Sequence, residues 1–180
     1  PSTDTERFFI SNIYPTAPSK LSSKSFFAST SEALITTKNI TARILEAAIG
    51  KLKIHKFSKN ILSSKSNYSS FIFPLGLKFD KLDLEFNLEG ERSECNLQSA
   101  SFLDNNEHQE IKTRINHNAP NCNSYQKIKN VLNDESKGVY QGKIFVKNIA
   151  QKTDAYQLSK ALILNDAAEF DAKPELEIYA

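Results

Sequence analysis

The eight residues LDLEFNLE, 82–89, alternate apolar and polar side chains without a break. One face of this segment is wholly apolar and the other is polar or charged, which is typical of a β-strand buried on one side. The same alternation returns in ELEIY, residues 175–179. The second half of the sequence is therefore predicted to form strands rather than helices.

Further strand candidates recur at intervals of about 8 to 15 residues, a pattern that indicates an all-β protein. Clusters of Asn and Asp lie between them, and because these residues tolerate a left-handed backbone they can form corners where Gly is scarce. No Asn-Gly or Asp-Gly pair occurs, which weighs against a meander of two-residue hairpins. A sandwich, a barrel and a solenoid of stacked coils all remain open on this pattern. The candidates are residues 96–103, 111–117, 139–146, 161–164 and 176–179.

The first half of the sequence is less regular. Residues 1–35 are interpreted as an irregular or short-stranded lead-in, because they are rich in Ser, Thr, Pro and Lys. Residues 40–53 are either a helix or two short strands. Apolar side chains at spacings of three and four favour the helix, whereas flanking Thr and Ile favour the strands. The length of 180 residues predicts one domain over 1–180.

Composition excludes several classes of protein. The net charge is +2, from 23 basic and 21 acidic residues, which is too balanced to predict nucleic acid or a membrane surface as a partner. The apolar runs are too short for a membrane span, and the first residues carry no secretory signal pattern. Two cysteines do not make a disulfide framework. They favour a reducing, cytoplasmic compartment, with an organellar stroma as the alternative.

Several segments after residue 90 are distinctive, namely GVYQGKI at 138–144, AQKTDAYQ at 150–157, KPELEIYA at 173–180, HNAP at 117–120 and Ser124. Through these segments the sequence from about residue 90 onward resembles the SufB/SufD family of the SUF iron–sulfur cluster assembly system. Its ending, KPELEIYA at 173–180, is closer to the SufD branch than to the SufB branch. Two positions depart from the family pattern, since Asn130 stands where Gly is usual and Tyr140 where Phe is usual.

The resemblance implies a right-handed parallel β-helix. The chain would be the central portion of that β-helix, cut before its last coils and without the helical terminal domains of the family. The implied function is that of a non-catalytic scaffold subunit that pairs with SufB and with the ATPase SufC. On this hypothesis the chain binds no cofactor alone, and the iron–sulfur cluster belongs to the assembled complex.

His117 and Cys122 are the two candidate metal ligands, five residues apart around Pro120. A cluster or a closed zinc site usually needs about four ligands, and only Cys95 and His108 could be recruited. His117 continues the face of the strand at 111–117, so it is predicted to end an inward stripe and bond a turn carbonyl. We therefore predict no metal site. No P-loop or Gly-x-Ser-x-Gly elbow is present, so no catalytic residue is assigned.

Glu175, Glu177 and Tyr179 are the predicted partner-interface residues, because they would line the terminal coil. A solenoid normally needs a capping unit, so self-association of the chain through this edge is also predicted. The alternative function is a parallel β-helix polysaccharide lyase or another carbohydrate-active enzyme. Its basis is the acidic set Asp104, Glu107 and Glu110 beside Lys112 and Arg114.

Overall fold

A computed structural model describes residues 26–35, 39–47 and 53–179, with side chains described from residue 53 onward except at residue 75. These residues form eleven β-strands. None of the described segments is a helix long and apolar enough to cross a membrane. The strands are β1 Phe26–Ile35, β2 Asn39–Ala47, β3 Lys53–Leu62, β4 Asn67–Leu75, β5 Phe79–Leu88, β6 Glu94–Leu103, β7 His108–His117, β8 Asn123–Leu132, β9 Lys137–Val146, β10 Asp154–Ile163 and β11 Glu169–Ile178.

Consecutive strands belong to different sheets. The odd-numbered strands form a six-stranded sheet in the order β1-β3-β5-β7-β9-β11, and the even-numbered strands form a five-stranded sheet in the order β10-β8-β6-β4-β2. Every strand pair is parallel. Each coil therefore adds one strand to each sheet. A side chain lies over the side chain at the same position of the preceding coil, as Gln109 lies over Asp80, 29 residues earlier. The predicted all-β parallel solenoid is confirmed.

The core lies between the two sheets and is built by the period-two alternation. In β5, the apolar side chains of LDLEFNLE point inward, and Leu82 and Leu88 are fully buried. The parallel register places Ile111 of β7 beside Leu82 and Tyr140 of β9 beside Ile111. Burial of each large side chain contributes about 1.5–3 kcal/mol, so this stack of apolar residues holds the coils together.

The corners use residues with positive φ. The prediction that Asn and Asp form corners is confirmed at Asn105, Asn121 and Asp134. Lys and Arg take the same left-handed conformation in other coils, which the sequence did not indicate. These further corner residues are Lys65, Arg92 and Lys152.

Three predicted strands, 96–103, 111–117 and 139–146, lie within β6, β7 and β9. The candidates at 161–164 and 176–179 mark only the C-terminal parts of β10 and β11, and β8 was missed. The helix alternative at 40–53 is wrong, because β2 occupies 39–47 and β3 begins at Lys53. β1 occupies 26–35 of the predicted lead-in, and residues 1–25 lie outside the described residues.

Candidate functional site

His117 ends the inward face of β7, as the alternation predicts, and is fully buried. Its Nε2 lies 2.9 Å from the hydroxyl oxygen of Ser124, at the start of β8. The partner is therefore a side-chain hydroxyl and not the turn carbonyl that was predicted. Burial lowers the pKa of His117 to about 4, so the ring is neutral near pH 7. Its Nδ1 is buried without a hydrogen-bond partner among the described residues.

Cys122 occupies the corner between β7 and β8. Its Sγ lies 3.3 Å from the carbonyl oxygen of Gly90 and 3.3 Å from the hydroxyl oxygen of Ser93. The residues at the same position, just before β4, β6 and β10, are Ser66, Ser93 and Thr153. Ser66 and Thr153 each donate the hydroxyl to a carbonyl in their own turn. Cys122 thus takes the place of a hydroxyl in a ladder of corner residues. This contact set fits a structural thiol.

Among the described residues, no group of three or more His, Cys, Asp or Glu side chains is placed to hold a metal ion. Cys95, the other thiol, is buried in β6. Burial raises the pKa of the Cys95 thiol, so the metal-binding thiolate form is disfavoured. His117 and Cys122 make separate contacts, to Ser124 and to the corner respectively. The absence of a metal site stays a prediction.

The acidic residues behind the lyase alternative do not converge on one site. Asp104 accepts a hydrogen bond from the side chain of Asn133, 3.1 Å away, and Glu107 accepts one from the backbone N–H of Asp104, also at 3.1 Å. Glu110 stands on the outer face of β7, where its carboxylate lies 3.1 Å from the Lys81 ammonium. Two of the three carboxylates therefore cap a corner and the third joins a surface ion pair.

The predicted interface residues lie on the outer face of the six-stranded sheet. Glu177 of β11 pairs with Lys143 of β9 at 2.7 Å, and the Tyr179 ring packs on Phe145 with centroids 5.5 Å apart. Glu175 pairs with Lys173 on its own strand at 3.1 Å. These three side chains share one face, but no contact identifies a partner, so their interface role stays a prediction.

The opposite, inward face of the same strand carries exposed apolar side chains at the edge through which self-association was predicted. Leu176 and Ile178 pair in register with the buried Ile144 and Val146 of β9. They are nevertheless 61% and 58% exposed. Ile163, on the inward face of β10, is 49% exposed. An apolar surface therefore lies beside the predicted interface residues.

Comparison with known proteins agrees with the fold. Residues 27–180 match the family model described as SUF system FeS cluster assembly, SufBD core domain. The iron–sulfur cluster assembly protein SufD of Escherichia coli (strain K12) is 34% identical over 128 residues, which are 70% of this chain and 30% of the relative. An iron–sulfur cluster assembly SufBD family protein of Synechocystis sp. is 28% identical over 116 residues, 64% of this chain and 26% of the relative. A SufBD family protein of Mycobacterium bovis is 27% identical over 96 residues, 49% of this chain and 24% of the relative. The chain thus spans less than a third of the length of these relatives.

Proposed function

The chain belongs to the SufBD core family of the SUF system, and from this premise we propose that it is a non-catalytic scaffold subunit in iron–sulfur cluster assembly. The match of the SufBD core model over residues 27–180 carries the proposal. The interior supports it, because the space between the sheets is filled by side chains such as Leu82, Ile111 and Tyr140. A packed interior leaves the outer faces and the coil edges for contact with other subunits.

The proposed partners are a SufB subunit and the ATPase SufC, in the cytoplasm. The SufB contact is assigned to the edge of β11, where Glu175, Glu177 and Tyr179 stand beside exposed apolar side chains. Protein interfaces commonly have an apolar core with a polar rim, and here Leu176 and Ile178 would form the core and the Glu side chains the rim. The cluster is cargo of the assembled complex, and the chain alone holds none.

Co-expression with SufB and SufC, followed by affinity capture, tests the assembly. Glu177→Lys should weaken capture of SufB by at least about tenfold, because it places a like charge beside Lys143 and beside the proposed interface. Glu169→Lys is the matched control, since Glu169 forms the equivalent ion pair, at 2.8 Å, with Lys137 near the start of the same strand. Equal losses in both variants would remove the assignment to the C-terminal end of β11, because Glu169 lies at the other end of that strand. Failure of the unaltered chain to capture either subunit would refute the scaffold role.

Cluster binding is tested by anaerobic reconstitution with ferrous iron and sulfide. The chain alone should develop no visible iron–sulfur absorbance, whereas a captured complex should develop it. A band that forms on the isolated chain and is lost in Cys122→Ser would contradict the proposal, because it would make Cys122 a ligand.

A further inference from the structure

A groove of about 240 Å³ crosses the outer face of the five-stranded sheet, at the N-terminal ends of four of its strands. Besides Cys95 and Ser124, which occupy second positions, the lining side chains come from the first and third positions of each strand, which alternation turns to the same face. The parallel register stacks them in two rows. The first row is Asn67, Glu94, Asn123 and Asp154, and the second row is Ser69, Asn96, Tyr125 and Tyr156.

The groove is acidic. Glu94 and Asp154 contribute carboxylates, and no Lys, Arg or His belongs to the lining. Glu94 already accepts a hydrogen bond from the side chain of Asn67 at 2.8 Å. Among the side chains that the structure describes, none forms a hydrogen bond or an ion pair with the Asp154 carboxylate. Asp154 therefore offers both oxygens to an incoming donor.

The second feature of the groove is a pair of stacked tyrosines. The rings of Tyr125 and Tyr156 lie 4.9 Å apart and 13° from parallel. They remain 37% and 45% exposed. Tyrosine supplies a large, rigid contact surface at a low cost in conformational entropy, because only two side-chain torsions are fixed. Exposed rings next to an unpaired carboxylate form a surface that is both aromatic and anionic.

We propose that this groove is a docking site for an arginine side chain presented by a partner protein. A guanidinium group is planar, donates in pairs to a carboxylate and packs on aromatic rings. Asp154 would accept the paired hydrogen bonds, Tyr156 would contact the guanidinium plane and the Asn123 amide oxygen would accept a further donor. A lysine ammonium cannot make the paired contact or the planar one, and an anion would meet two carboxylates.

The test is a titration of the full chain with a short peptide, in which binding is monitored by the amide chemical shifts of the chain in NMR. The probe is the peptide acetyl-Gly-Arg-Gly-amide, compared with its lysine analogue and its citrulline analogue, which keeps the shape but lacks the charge. The arginine peptide should shift the amides of residues 123–125 and 154–156 and should bind more tightly than either analogue. Asp154→Asn and Tyr156→Leu should each weaken binding roughly 3- to 10-fold. Asp171→Asn is the matched control, because Asp171 is an exposed carboxylate on the other sheet, and it should leave binding unchanged.

Three results would overturn the proposal. The first is the absence of shifts at the groove up to the solubility limit of the arginine peptide. The second is equal affinity for the lysine or citrulline analogue, because the site would then not recognise a charged planar group. The third is unchanged affinity in both Asp154→Asn and Tyr156→Leu, provided that each variant keeps the urea midpoint of the unaltered chain. Because no SUF subunit is present, these results are independent of the scaffold experiment.

Discussion

Replacing Asp80 by Asn should make the chain more stable at neutral pH. Asp80 points into the solenoid and is 1% exposed. Its Oδ2 accepts a hydrogen bond from the Gln109 side chain at 3.3 Å, whereas its Oδ1 has no partner among the described residues. Burial raises the pKa of Asp80 from 3.8 to about 6, although the Gln109 hydrogen bond and the charge of Lys56 act in the opposite direction. The charged form is therefore held in an unfavourable environment.

The size of the effect follows from the two pKa values of the carboxyl group. Because the folded-state pKa of Asp80 is the higher one, the folded state binds the proton more tightly than the unfolded state does. This contribution to stability is fully present below the unfolded value of 3.8 and is lost as the pH rises through about 6. The difference of about 2 pKa units corresponds to ~3 kcal/mol above pH 7. Asn mimics the protonated side chain, so Asp80→Asn should recover up to ~3 kcal/mol at that pH.

Urea unfolding of the unaltered chain and of Asp80→Asn, at low pH and at mildly alkaline pH, measures this difference in unfolding free energy. The gain of Asp80→Asn over the unaltered chain should be largest at alkaline pH and should shrink towards zero below the unfolded pKa. Asp83→Asn is the matched control, since Asp83 lies on the outer face of the same strand and contacts His55 at 2.7 Å. It should change stability by less than ~1 kcal/mol. If Asp80→Asn is less stable than the unaltered chain at alkaline pH, the attraction of Lys56 outweighs the burial of the carboxylate and the reasoning fails.

Three further changes test other parts of the molecule. Cys122→Ser should alter the unfolding free energy by less than ~1.5 kcal/mol, because a hydroxyl can keep the corner contacts. A larger loss of unfolding free energy, measured by calorimetry, would contradict the structural role predicted for Cys122. Arg92→Gly should stabilise by ~0.5–1 kcal/mol, since Arg92 holds a φ of 59° that Gly adopts without strain; a lower urea midpoint would argue against this. The 180-residue chain should self-associate as its concentration rises, through Leu176 and Ile178, and less so when both are changed to Lys; light scattering that finds only monomer in the unaltered chain would disprove it.

Some strands could be predicted from the sequence because their inward positions are apolar. β5 repeats Leu and Phe at every second residue, so its buried face is visible in the sequence. β8 was missed because its buried positions include Ser124, Gln126 and Asn130. Gln126 can be buried at low cost because Tyr140 donates its hydroxyl to the Gln126 side-chain oxygen at 3.3 Å. Such pairing joins strands of different sheets, and no local pattern of one strand reports it.

The candidate site was less predictable than the fold. His117 and Cys122 are close in sequence and have the chemistry of metal ligands, so their proximity alone does not show whether they bind a metal ion. The structural role that we predict for Cys122 depends on the corner ladder that places it against Ser93, 29 residues earlier. That ladder can be recognised only when the coils are aligned, and the coil length varies along this chain. The groove near Tyr125 and Tyr156 was missed for the same reason, since the two rings are 31 residues apart and stack only after the chain has turned once.

The interior also accounts for the two departures from the family pattern. Tyr140, where Phe is usual, carries a hydroxyl that needs room and a partner inside the core. Gly142 supplies the room, because a Cβ at that position would lie 2.4 Å from the Tyr140 hydroxyl oxygen, and Thr113 supplies a partner at 3.3 Å. Asn130, where Gly is usual, faces Gly138, whose missing side chain leaves space for the Asn130 amide. Each larger or more polar side chain thus lies against a glycine of β9, which leaves room for it inside the solenoid.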